Sequence, residues 1–176
     1  MAERFEMMLT GGHPNSLGRT LEVVDAVLAD PARFGELYAC YGSEDEIVRL
    51  RVSNAMKRVE KERHDLLVPY INRLITEIGA LDQASAQWTL ADLFFALGPD
   101  MDVAQKDAAL AIMKRNLAEH DDWIVLNRTM DTLLKWVDAE EGLSEWIAPH
   151  LARLANDPRK SVAKRASKGL SALGAG

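Results

Sequence analysis

Apolar residues recur along this chain at one spacing. Val48, Val52, Ala55, Met56 and Val59 stand at offsets 0, 4, 7, 8 and 11, which lay a continuous stripe along an α-helix. The same offsets return at Ala86, Leu90, Leu93, Phe94 and Leu97. They return again at Leu126, Met130, Leu133, Leu134 and Val137, and at Val162, Ala166, Gly169, Leu170 and Leu173. The sets begin at 48, 86, 126 and 162, in steps of 38, 40 and 36 residues. A near-constant period of this length is the mark of a helical repeat.

Helices of a second kind fall between these. "LVPYINRLI" from Leu67 and "IAPHLARLA" from Ile147 share a pattern and place Pro69 and Pro149 80 residues apart, two periods. Asp65, Ser85, Asp102, Asp122 and Ser144 are candidate caps, and Gly79, Gly98, Gly142 and Asn156 stand where helices should end. No apolar alternation of strand type occurs between turn signals. The pattern predicts helices over 16–29, 32–41, 46–62, 65–79, 84–97, 102–119, 123–138, 144–156 and 160–173.

A pair of amphipathic helices buries its stripe only by stacking on the next pair. The expected fold is therefore all-α, a right-handed α-solenoid in one domain over 1–176. A loop and capping helix (1–30) would precede repeats at 32–62, 65–97, 102–138 and 144–173. The run Asp45-Glu46-Ile47-Val48-Arg49 resembles the opening of the second helix in HEAT repeats. Later repeats keep the register but put Gln87, Asn127 and Ala163 at the arginine position. The resemblance implies a fold rather than an activity.

Composition narrows the function classes. The formal charge is −6, and Asp157 to Gly176 carries +4, which leaves −10 in the first 156 residues. An acidic body disfavours a dedicated nucleic-acid binder. Cys40 is the only cysteine, so no internal disulfide is expected, and a buried thiol suits its apolar surroundings. The N-terminus lacks a signal-peptide pattern and no window has the apolar length of a membrane span. A cytoplasmic monomer without a membrane partner is the expectation. His13, His64, His120 and His150 show no metal-ligand spacing, so neither metal nor cofactor is expected.

Offsets 2, 6 and 9 of the second helices share the face opposite the core. They select Leu50, Asn54 and Lys57, then Trp88, Asp92 and Phe95, then Arg128, Thr132 and Lys135, then Lys164, Lys168 and Ser171. Two aromatics with basic neighbours on a polar face suit a protein or peptide partner, and the expected function is a non-catalytic interaction scaffold. A nucleic-acid strand is the alternative. Trp88 and Asp92 on one helix, with Arg128 one repeat later, are similar to the HEAT-like alkylpurine DNA glycosylases. That resemblance implies that Trp88 would stack on the damaged nucleotide and that Arg128 would hold phosphate. Asp92, the catalytic residue of this alternative, would stabilise positive charge on the sugar.

"TGGHPNSLGRT", Thr10 to Thr20, is the chain's most loop-like stretch. A phosphate loop needs glycine five places after Gly12, followed at once by lysine, but Leu17 stands at the glycine position, Gly18 comes one place late, and Arg19 rather than lysine follows it. The stretch reads instead as a helix start capped by Asn15 or Ser16, with Leu17, Leu21, Val24 and Leu28 as the apolar stripe. "LTGGHPNSLGRT" also resembles a segment of small bacterial HEAT-like proteins with no assigned activity. His13, Asn15 and Arg19 are its candidates for a second contact.

Overall fold

Helices account for every regular element among residues 2–174, the residues that this computed structural model describes. The chain packs as two units, Met1–Met101 and Asp102–Gly176.

The first unit contains α1 (Phe5–Leu9), α2 (Thr20–Ala29), α3 (Phe34–Ala39) and α4 (Glu46–Glu62). The short turns α5 (His64–Leu67) and α6 (Ile71–Arg73) follow, then a π-helical segment (Leu74–Ile78) and α7 (Ala84–Leu97). α4 packs against both α2 and α7. Every residue of the first two repeated apolar sets is buried. Each Val, Leu, Met or Phe among them is worth about 1.5–3 kcal/mol, which makes this seam the main source of cohesion.

The second unit contains α8 (Val103–Glu119), α9 (Trp123–Trp136), α10 (Leu143–Leu154) and α11 (Lys160–Gly174). Here α9 packs on α11, as α4 packs on α7 in the first unit. Leu126, Met130, Leu133, Val162 and Ala166 are buried, while Leu134, Val137, Leu170 and Leu173 are partly exposed. Gly169 permits close approach of α11. A Cβ there would lie 2.8 Å from Leu134 Cδ1 and 3.2 Å from Leu151 Cδ1.

Several boundaries differ from expectation for identifiable reasons. The first helix starts at Thr20 rather than residue 16, so its buried face is Thr20, Val23, Val24 and Val27. Leu17 and Leu21 are exposed instead. Asn15 and Ser16 do not cap that helix; Ser16 Oγ accepts from Gly18 N–H within the loop. The expected helix 65–79 is interrupted at Val68–Tyr70, where Pro69 has no N–H to donate. Asp45, Asp102 and Asp122 cap their helices, whereas Ser85 and Ser144 lie inside α7 and α10. Asp65 pairs with Arg63 at 2.8 Å.

The glycine-rich loop owes its shape to Arg51, a residue of α4 only 1% exposed. Its guanidinium donates to the carbonyls of Leu9 (2.5 Å), Gly11 (2.6 Å), Ser16 (3.2 Å) and His13 (3.3 Å). Among the described residues it has no carboxylate partner. The carbonyl dipoles of Leu9 and the loop compensate the buried charge. Gly11, Gly12 and Gly18 have φ of +76°, +79° and +51°, conformations that only glycine adopts without strain. Gly18 is further constrained, because a Cβ would lie 2.9 Å from Arg51 Cζ.

Arg51→Met should remove about 2–4 kcal/mol of stability by leaving these carbonyls without their donor, measured by urea unfolding. Gly18→Ala should cost more than Gly11→Ala. Both incur left-handed strain of about 1–2 kcal/mol, but a Cβ on Gly11 meets nothing within 4 Å. Equal losses would contradict the packing of Gly18 on Arg51.

Candidate functional site

The α4–α7 pair carries the candidate site, and polar contacts fasten it along its length. At the start, Arg49 Nε donates to Gln83 Oε1 at 2.5 Å, and Arg49 Nη1 to the Ser43 carbonyl at 2.5 Å. Gln83 Nε2 donates back to the Glu46 carbonyl at 3.1 Å. In the middle, Lys57 Nζ lies 3.4 Å from Asp92 Oδ2. At the far end, His64 lies 2.8 Å from Glu60 Oε1 through Nδ1 and 2.7 Å from Asp100 Oδ2 through Nε2.

An open depression of about 400 Å³ lies at the start of this pair. Its walls include Pro14 from the loop, Glu46 and Leu50 from α4, and Asp82, Gln83 and Trp88 from the start of α7. The loop and both helix starts therefore border one concavity, and Arg51 sets the position of the loop wall. Trp88 is partly buried, Asp92 lies one turn further along α7, and Phe95, two turns on, is 46% exposed. Lys57, also selected from the sequence, meets Asp92 directly.

The remaining candidates are distributed as follows. His13, Asn15 and Arg19 are exposed on the loop, where His13 Nδ1 accepts from Asn15 N–H at 3.1 Å. Arg19 is held by Glu3 at 2.9 Å and Glu22 at 3.0 Å. In the second unit, Arg128 and Lys135 are exposed on α9, and Lys164 and Lys168 on α11. Thr132 departs from its expected place on an open face, being only 3% exposed. Cys40 is buried, and loss of hydration pushes its thiol up to about 11.

Arg51, Glu46, Asp82 and Gln83 were not among the sequence-selected residues. The three glycines crowded into residues 11–18 were the available signal that this loop is held by something, though nothing in the sequence pointed to Arg51. None existed for the others, whose grouping depends on the helix pairing.

Charge separates the two units. Residues 1–101 carry ten Lys and Arg against sixteen Asp and Glu, net −6, and residues 102–176 carry eleven of each, net zero. No group of three or more His, Cys, Asp or Glu that could hold a metal occurs among the described residues, and no helix is long and apolar enough to cross a membrane. Compared with known proteins, the chain matches no family model, no curated protein and no solved structure.

The His64 bridge makes the helix pair sensitive to pH. Hydrogen bonds to Glu60 and Asp100 raise the His64 pKa, only partly opposed by desolvation. A folded-state pKa above the unfolded one means that the contribution is complete below about pH 6.5. It is lost as pH rises through the raised value, because a neutral ring donates to one carboxylate only. Thermal unfolding should show this decline in the native chain and a flatter profile in His64→Gln. Identical slopes would show that the bridge does not contribute.

Proposed function

We propose that the chain is a HEAT-like α-solenoid acting as a non-catalytic protein-interaction module, with the outer face of α4 and α7 as its docking surface. The solenoid reading is supported by recurrence of one contact at one interval. Arg49 reaches Gln83 in the first unit, and Asn127 Nδ2 donates to Ser161 Oγ in the second, each 34 residues on. Both donors occupy the same register position of their repeat. Both partners stand at the start of the next repeated helix.

The observation that carries the docking reading is the pair Trp88 and Phe95 on one face of α7. Trp88 lines an open depression and Phe95 is 46% exposed. Large aromatics on one partly open helix face are typical anchors of protein interfaces. The nucleic-acid alternative has less support. Asp92, its catalytic candidate, is 3.4 Å from Lys57 Nζ, and the unit holding Trp88 and Asp92 carries −6, which repels phosphate.

Affinity capture from the source cells tests the reading. Trp88→Ala and Phe95→Glu should each weaken capture by about tenfold or more, while Asp25→Ala, exposed on α2, should retain it. A partner list unaffected by either aromatic substitution would overturn the proposal. Salt-sensitive binding of a 20-base-pair DNA through Trp88, with no protein captured, would transfer the site to nucleic acid.

A further inference from the structure

The chemistry of the depression specifies the kind of segment that would fill it. This inference rests on the docking reading above and adds the character of the partner. We propose that the depression takes an arginine or lysine side chain from an extended segment of a partner protein. Its stem would lie against Pro14, Leu50 and Trp88, and its charge would face Glu46 and Asp82.

Four observations converge on this occupant. The volume, about 400 Å³, falls within the range of about 300–1,000 Å³ usual for clefts that enclose small ligands. Its apolar wall includes an indole, a preferred partner for a cation. Glu46 and Asp82 are exposed on its border, and neither makes an ion pair among the described residues. Arg49, the cation in the lining, donates to the neutral acceptors Gln83 Oε1 and the Ser43 carbonyl, so it keeps its charge but is outnumbered by the two carboxylates.

Helix dipoles do not reverse this balance. Asp45 caps α4, accepting from Ile47 N–H at 2.8 Å, and Glu46 occupies its first turn. Asp82 immediately precedes the N-cap residue of α7, Gln83. An anion entering here would meet two carboxylates in a unit of net charge −6. A cation meets a lining in which two carboxylates outnumber one guanidinium, beside an aromatic face. The Arg51-held loop also fixes the Pro14 wall in advance, reducing the ordering that binding would otherwise require.

Titration of the full chain with two acetylated octapeptides and one oligonucleotide tests the proposal. One probe repeats Ala-Arg, a second repeats Ala-Glu, and a third is a single-stranded DNA dodecamer. The reporter is the Trp88 indole N–H resonance, assigned by its loss in Trp88→Phe. The Arg peptide should shift this resonance saturably, with affinity falling as salt rises. The Glu peptide should leave it unmoved. The double variant Glu46→Gln/Asp82→Asn should weaken Arg-peptide binding about fivefold or more and flatten its salt dependence. Amide spectra of the double variant confirm its fold.

Absence of Arg-peptide binding at low salt would overturn the inference, as would undiminished binding by the double variant. Preference for the Glu peptide or the DNA would overturn it too. The docking reading fails separately. If captured partners are lost with Trp88→Ala but kept by Glu46→Gln/Asp82→Asn, the docking face stands and the basic occupant falls.

Discussion

The first unit is organised around one buried cation. Removing a guanidinium from water costs several kcal/mol, and Arg51 has no carboxylate to offset that cost. Four backbone carbonyls, that of Leu9 at the end of α1 and three from the loop, do so instead, through charge-assisted bonds of about 1.5–3 kcal/mol each. Such an arrangement requires the backbone to turn its carbonyls inward over a short span. The positive φ values of Gly11, Gly12 and Gly18 make that turn available. The loop is thereby fixed to α4, and Pro14 becomes a wall of the depression rather than part of a free terminus.

A second level of order lies in the α4–α7 pair. Its apolar seam supplies cohesion without much directional information, because dispersion and burial are tolerant of small slides. The polar contacts add register. Arg49 with Gln83, Lys57 with Asp92, and Glu60 with His64 and Asp100 each join a specific turn of α4 to a specific point on or beside α7. The α9–α11 pair uses the same device, with Asn127 reaching Ser161 and Arg165 lying 2.5 Å from Asp131. The position that holds Arg49 in α4 is a linking position, and Asn127, at the corresponding place in α9, shows that a shorter amide can perform the same task.

The aromatic face follows from this register. Trp88 and Phe95 belong to α7 turns whose opposite side is committed to the seam. Neither ring can enter the core without rotating Leu90, Leu93 and Phe94 out of it. Burial of those three outweighs the exposure of Phe95. The exposed ring is therefore a consequence of helix phase.

Helical class and the α4 and α7 cores were legible in the sequence, because a 3.6-residue period constrains which side chains share a face whatever surrounds the helix; of the later two sets, Leu134, Val137, Leu170 and Leu173 are only partly buried. Caps at Asp102 and Asp122 were legible for the same reason: each depends on neighbours two or three residues away. The start of α2, the break at Pro69 and the burial of Thr132 were not. They depend on what packs against the segment. The depression depended most on tertiary structure, since Pro14, Glu46, Asp82 and Trp88 become neighbours only when α7 lies along α4 and the loop closes over Arg51. Local periodicity determined the helices and their buried sides. Long-range capture of loop carbonyls by one cation decided where the loop would stand.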